Sequence, residues 1–255
     1  MTTTDYQGGG FDLGRVVQRT FASISQNWLV FLVAAIALVG IPSLLTGFGQ
    51  SMSTTVQPLA GLPFISIGWI LMIIGGYVLQ GTVVFTTVNG FNGKQVDIGS
   101  ALTVGVRFFF PLLAVAILMW LGMVIGLILL IVPGLILLVM WAVTAPVLVA
   151  EKRGILESFQ RSRDLTRGNR WMIFALFLVY GIISSIIGWT VIGLGAAMGG
   201  SLATASTVWL VALVFTPMVN TVTAVLSAAG VASIYYELRT AKEGVSPDQL
   251  ASAFD

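Results

Sequence analysis

The apolar positions of this chain fall in long blocks parted by short polar breaks, and that pattern predicts an all-α integral membrane protein. Six blocks stand out: Trp28 to about Leu45, Phe64 to Thr87, Phe109 to Ile131, Leu135 to Ala150, Trp171 to about Leu194, and Val208 to Tyr236. A hydrocarbon core ~30 Å thick needs about 20 helical residues to cross it. Each block is therefore one transmembrane helix; the second is long enough to tilt, and the fourth is short but adequate. Pro42 predicts a bend at the far end of the first span, and Pro146 a kink in the fourth. Val132-Pro133-Gly134 reads as a tight turn, with Pro133 opening the fourth span where its missing N–H costs nothing. Residues 48–62 read as a polar, uncharged loop, and Gly199 and Gly200 as part of an uncharged turn. Gly75, Gly76 and Gly81 in the second span, and Gly122 and Gly126 in the third, predict close approach of neighbouring helices.

A second pattern, shorter and amphipathic, precedes the first, third and fifth spans. From Phe11 to Gln26, Phe11, Val17, Phe21 and Ile24 fall on one helical face, and Arg15, Gln18 and Arg19 on another. Such a helix either lies in the interface with its apolar side toward the acyl chains or docks on the bundle. After a turn from Asn89 to Asp97, Ile98 to Arg107 reads as a short helix. In the loop after the fourth span, Ile155, Leu156 and Phe159 make an apolar face, with Leu165 further on. Gln18-Arg-Thr near the first span is echoed by Gln160-Arg-Ser before the fifth, and Asp12-Leu-Gly by Asp97-Ile-Gly. These echoes suggest a threefold repeat of helix plus hairpin. The chain divides into a flexible tail (1–10), a six-span membrane domain (11–239) and a C-terminal tail (240–255). In that last tail, Ser246-Pro247-Asp248-Gln249 marks the start of a short helix reaching about Ala253.

Composition agrees. Of 255 residues, 57% are hydrophobic and 9% charged, where a soluble domain carries about 25% charged residues; the mean hydropathy is +0.99. No charge falls between Arg19 and Lys94, between Arg107 and Glu151, or between Arg170 and Glu237. Every Lys and Arg lies in the N-terminal arm, the 2–3 loop, the 4–5 loop or the C-terminal tail, so the positive-inside rule predicts that both termini are cytoplasmic. The first ten residues lack a basic n-region, so the first span is expected to be retained rather than cleaved as a signal peptide.

Charge and composition also narrow the chemistry. With no His and no Cys, imidazole catalysis, imidazole metal ligation and thiolate chemistry are excluded. No nucleophile motif, metal-ligand cluster or phosphate-binding glycine loop is present. Asp97, Glu151, Glu157 and Asp164 stand near arginines, as ion pairs do. No catalytic residue, cofactor or metal is expected, and no nucleic acid. Two features remain. One is the 4–5 loop, where Lys152, Arg153, Arg161, Arg163, Arg167 and Arg170 stand against Glu151, Glu157 and Asp164, a net +3. Glu157 precedes Arg161 by four residues, the favourable order for a helix pair. The loop either docks anionic lipid headgroups, at ~1 kcal/mol per uncompensated cation, or only sets topology; Glu151, Arg161 and Arg170 would anchor it, with Trp28, Trp171 and Tyr236 at the interface. The other is a stripe on the sixth span, Thr216, Asn220, Thr223 and Ser227, ending at Gly230. It is either a polar seam for a headgroup or water, or a set of interhelical hydrogen bonds.

Pro133-Gly134-Leu135, Trp141, Pro146, Glu151, Gly154, Phe159, Arg161-Ser162, Leu165-Thr166, Gly168 and Arg170-Trp171, with Tyr236-Glu237-Leu238-Arg239 and Glu243-Gly244, form a recognisable set. It resembles the membrane domain associated with bacterial glycerophosphoryl diester phosphodiesterases. In fused members of that family, catalysis belongs to a separate soluble barrel that uses His and metal-binding carboxylates. That barrel is not in these residues, so the resemblance implies the accessory role alone: holding a partner at the membrane or presenting lipid-derived substrate. The expectation is a non-enzymatic scaffold or lipid-interacting accessory protein, whose partners are anionic membrane lipids and a membrane or cytoplasmic protein. The alternative is a permease for a lipid or amphiphile that uses the sixth-span seam.

Overall fold

A computed structural model describes residues 10–55, 57, 59–129, 131–202 and 211–244, and these contain helices and no strand. In chain order the elements are α1 (Leu13–Gln26), α2 (Trp28–Ala35), a π-helical turn (Ile36–Gly40), α3 (Ile41–Thr55), α4 (Leu62–Phe91) and α5 (Ile98–Arg107). There follow α6 (Phe109–Leu129), α7 (Ile131–Met140), α8 (Thr144–Ala150), α9 (Ile155–Thr166), α10 (Arg170–Leu202), a second π-helical turn (Val211–Phe215) and α11 (Thr216–Glu243). Six stretches are long and apolar enough to cross a membrane: Trp28–Ser53, Leu62–Phe91, Phe109–Ile128, Val132–Ala150, Arg170–Thr190 and Leu213–Glu243. The chain is a polytopic all-α membrane protein, as its block pattern predicts. A short helix precedes each pair of spans: α1, α5 and α9.

Spans one, four and six are interrupted, and each interruption lies just upstream of a proline. A proline cannot donate to the carbonyl four residues back, and its ring crowds that carbonyl. In the first span the π-helical turn ends two residues before Pro42; in the sixth, the other ends two residues before Pro217. In the fourth, the turn at residues 141–143 parts α7 from α8 and stands just ahead of Pro146. Pro42 leaves the Leu38 carbonyl without its helical donor, and that carbonyl is pressed onto Gly75 of α4. A Cβ built on Gly75 would fall 1.8 Å from the Leu38 oxygen. Gly75 is therefore a socket for a displaced backbone group. Irregular backbone is tolerated at such depth only where protein covers it.

Several sequence expectations change. Residues 48–55 are not loop but the last turns of α3. There Thr46 and Ser51 donate their hydroxyls back to the carbonyls of Ser43 and Phe48, and Phe48 packs edge-on against Phe64 at 5.2 Å. Val132, Pro133 and Gly134 are helical too, because α7 opens at Ile131. The glycine pair of the third span is spent on this neighbour: a Cβ on Gly126 would meet Gly134 at 2.9 Å, and one on Gly122 the Trp141 ring at 2.4 Å. Gly81 approaches Gly105 of α5, but Gly76 has nothing within 4 Å and serves no packing role. Gly199 and Gly200 lie inside α10, so their turn is absent. α11 runs unbroken past Arg239 to Glu243, which brings the first residues assigned to the C-terminal tail into the bundle. The helix expected from Ser246 and the opening of the sixth block at Val208 lie outside the described residues.

Helices α4 and α11 together form the axis of packing. Ala228, Ala229 and Ala232, nearly or wholly buried, let α2 and α4 approach α11 closely. Further along, Ile234, Tyr235 and Leu238 join Val84, Val88, Val147 to Ala150 and Leu165 in a second cluster. Helix α1 docks lengthwise on α11 through Val16, Thr20 and Ser23, with Ser23 Oγ 2.9 Å from Thr87 Oγ1 of α4. Its Leu13, Val17 and Phe21 remain exposed on the other side. Docked helix and amphipathic outer face thus coexist. By contrast α10 stands apart: only 6% of its apolar stretch is buried inside the protein, against 50% for the first span.

The two echoed aspartates do the same job. Asp12 caps α1 by accepting from Arg15 N at 2.8 Å, and Asp97 caps α5 by accepting from Gly99 N at 2.7 Å and Ser100 N at 3.3 Å. Hydrogen bonds from Ser100, hydroxyl first and then backbone, with Gly99 N–H, hold the Asp97 carboxyl below the usual carboxylate range.

Two outcomes follow. Gly75→Leu should destabilise the bundle by at least ~2 kcal/mol, because no rotamer relieves a Cβ clash with backbone; the check is the thermal midpoint in detergent, with Gly76→Leu as the silent control. The Asp97 cap, whose folded pKa is depressed, is fully present above the ordinary carboxylate value and is lost as pH falls through its folded value. Amide exchange of α5, corrected for its intrinsic pH dependence, should therefore accelerate only in acid, and Asp97→Ala should abolish that dependence.

Candidate functional site

The charged residues gather at one end of the bundle, where α1, the end of α8, α9 and the last turns of α11 meet. Two ionic groups organise this end. The first centres on Glu237 of α11, whose side chain is only 2% exposed. Arg15 Nε donates to its Oε1 at 2.7 Å, and Arg19 donates to its Oε2. Arg19 also lies over the Tyr236 ring, 4.9 Å from its centroid, and Tyr236 packs against Phe91 at 4.8 Å. Arg15 and Arg19 stand one helical turn apart on α1, so one carboxylate of α11 holds the polar face of α1.

The second group is a closed ring. Arg161 Nε donates to Glu151 Oε1 at 3.2 Å, and its Nη2 donates to Glu243 Oε1. Arg239 Nε donates to Glu243 Oε2 at 2.9 Å, and Arg239 Nη1 to the Tyr235 oxygen at 3.1 Å. The Tyr235 hydroxyl returns to Glu151 Oε1 at 3.1 Å. Arg153 Nε adds a bond to Glu151 Oε2 at 2.6 Å. Burial works against the Arg161 charge, but Glu243 and Glu151 outweigh it and raise its pKa, so Arg161 stays a cation. Lys242 donates to the Asp164 carbonyl and closes the seam between α9 and α11.

Helix α9 also repairs the break in the fourth span. Ser162 Oγ donates to the Met140 carbonyl at 3.0 Å and accepts from Val143 N at 3.3 Å, and Thr166 Oγ1 also reaches Met140 O, at 3.3 Å. Trp141 packs edge-on against Phe159 at 5.0 Å. Trp141, Pro146, Glu151, Phe159, Arg161, Ser162 and Thr166, quoted above as a motif, are thus one structural knot: a proline-broken span and the short helix that satisfies it.

The 4–5 loop candidates separate into three sets. Glu151, Arg153 and Arg161 are engaged in the ring. Lys152, Arg163 and Arg167 are exposed and make no ion pair with a described residue. Lys152 takes a left-handed conformation, φ 52°, where the chain turns out of α8. Arg170 is half-buried at the start of α10, with Nε enclosed and without a hydrogen-bond partner among the described residues. The Glu157–Arg161 pair does not form: Glu157 Oε2 accepts from Gly154 N at 3.4 Å at the helix start, while Arg161 turns to α8 and α11. Leu156, counted with the apolar face, is 76% exposed. Of the three aromatic anchors, Trp28 and Trp171 are exposed, but Tyr236 is buried under Arg19.

The sixth-span stripe is largely consumed by the protein. Asn220 Nδ2 donates to Ser43 Oγ at 2.9 Å, next to Pro42. The Thr223 hydroxyl donates back to Val219 O at 2.7 Å, while the Thr223 carbonyl accepts from Tyr180 OH at 3.2 Å. Thr216 likewise has a partner. Ser227 and Gly230 instead line an apolar cleft of about 190 Å³ between α1, α10 and α11, beside Val17, Phe21, Leu176 and Tyr180. On the other flank of α10 a second cleft, of about 360 Å³, opens against α7. No group of acidic side chains among the described residues could hold a metal ion.

Comparison with family models, with curated proteins and with solved structures finds no match to this chain, so the meaning of the charged end rests on its own geometry. That geometry predicts that Arg15→Ala with Arg19→Ala, which strands the Glu237 carboxylate in the interior, costs on the order of 3 kcal/mol and frees α1. Limited proteolysis within α1 and the thermal midpoint in detergent read both effects. Adding Glu237→Gln to the double variant should recover much of the loss.

Proposed function

We propose that this protein is a non-enzymatic, lipid-interacting scaffold or accessory protein of the bacterial inner membrane, with both termini in the cytoplasm. The observation that carries the reading is the division of labour among the helices. Charges at one end are paired around α11 and hold a firm platform, while α10 stands off the bundle with apolar clefts on both flanks. Lateral clefts of this kind open toward lipid rather than along a path across the bilayer. Lys152, Arg163 and Arg167 then remain outside the internal pairs, available to anionic headgroups at ~1 kcal/mol each. The accessory role implied by the resemblance to the phosphodiesterase-associated membrane domain fits the same arrangement.

A permease for an amphiphile is the second reading. One observation favours it: each π-helical turn packs on the other span, Ile36–Gly40 against α11 and Val211–Phe215 against α3, and Asn220 of α11 bonds Ser43 of α3. Reconstitution into liposomes separates the two. The scaffold reading predicts no lipid or solute flux above protein-free vesicles, and binding to vesicles or a partner that weakens when Lys152, Arg163 and Arg167 are all neutralised. Flux that is lost on Asn220→Leu would instead make the protein a permease.

A further inference from the structure

The cleft between α7 and α10 holds a charge that the bundle does not satisfy. Its walls are Val132, Leu135, Ile136, Val139 and Phe174, with almost no polar surface, and Trp171 and Arg170 stand at the opening of α10. Trp171 is 84% exposed, as an indole at headgroup level would be, and packs edge-on against Phe174 at 6.2 Å. Arg170 is the one cation in this lining. Its Nε is enclosed and lacks an acceptor among the described residues, whereas Arg153, Arg161 and Arg239 each give Nε to a carboxylate. An enclosed donor on a guanidinium left unpaired is costly. No carboxylate among the described residues pairs with Arg170, and the charge close enough for it to feel is the cation of Lys242. The missing partner is therefore an anion.

We propose that this cleft is a binding site for one anionic glycerophospholipid, and this rests on the lipid-interacting reading above. Its phosphate accepts from Arg170, whose planar fork of donors suits two phosphate oxygens at once, with Arg167 supplying further field. One acyl chain runs down the wall of α7 between Leu135 and Val139 and covers the exposed flank of α10. The cleft volume of about 360 Å³ falls within the ~300–1,000 Å³ typical of small-molecule sites. A bare phosphate would satisfy the cation and leave the apolar wall uncovered; a zwitterionic lipid would bring an ammonium into a field that is already positive. The combination selects an acyl chain together with a net negative headgroup. It also explains why α10, the least buried span, keeps a defined place beside α7.

The test uses the full chain reconstituted in vesicles of phosphatidylglycerol and phosphatidylcholine in equal parts, extracted in mild detergent and examined by native mass spectrometry. The wild type should retain one phosphatidylglycerol in preference to phosphatidylcholine. Arg170→Gln should lower that retention about tenfold or more, Arg170→Lys less, and Leu135→Trp, which fills the wall without touching the charge, should abolish it. Glycerol 3-phosphate, the headgroup chemistry without the chain, should not displace the lipid. Retention that survives both Arg170→Gln and Leu135→Trp, or displacement by glycerol 3-phosphate, overturns the site. If retention instead falls only when Lys152, Arg163 and Arg167 are neutralised, the cleft is refuted while the broader lipid-binding role stands. If no variant alters it, both fail.

Discussion

Hydrocarbon offers no hydrogen bonds, and the organisation of this protein follows from that one constraint. Two kinds of group would violate it: charged side chains, and backbone polar groups freed where prolines interrupt a helix. Three carboxylates are gathered at one end and paired: Glu237 between two arginines of α1, Glu151 between Arg153 and Arg161, and Glu243 between Arg161 and Arg239. The freed backbone is covered by protein. Gly75 shelters the Leu38 carbonyl, and Ser162 and Thr166 satisfy the broken fourth span. The charge pairs converge on α11, while the broken backbone is covered by α4 and by the short helix α9.

The large features were legible from the sequence because they depend on local runs. Blocks of apolar residues mark the six spans, and Asp97 marks the start of α5 to the residue. What escaped was what depends on partners distant in the chain. The 48–62 stretch looks like loop because it is polar, yet hydroxyls that bond back to their own helix let Ser51 and its neighbours remain helical inside a bundle. The Glu157–Arg161 spacing is ideal for a local pair, and Arg161 forgoes it for Glu151 and Glu243, the latter 82 residues away. Tyr235, Arg239 and Glu243 recur at intervals of four, and so do Arg15 and Arg19. That periodicity was a visible sign of a charged face, but not of what would meet it.

The pairing at the charged end also bears on function. Arg15, Arg19, Arg153, Arg161 and Arg239 are paired within the protein; the cations left outside those pairs at this end are exposed side chains and the half-buried Arg170. The polar middle of the sixth span is likewise committed, since Asn220 and the Thr223 carbonyl are tied to Ser43 and Tyr180. What remains open is lateral: the flanks of α10 and the outer face of α1. The lipid-interacting role proposed above rests on these lateral openings.

The central claim is that all basic side chains lie on one face of the bilayer and that the uncharged connections lie on the other. The chain has no cysteine, so single introduced cysteines report without background. The most direct measurement is labelling of Lys152→Cys and Ala60→Cys in intact and opened cells with a membrane-impermeant maleimide. The account predicts that Ala60→Cys reacts in intact cells and that Lys152→Cys reacts only once they are opened. Reaction of Lys152→Cys from outside, or of both positions from the same side, would contradict it.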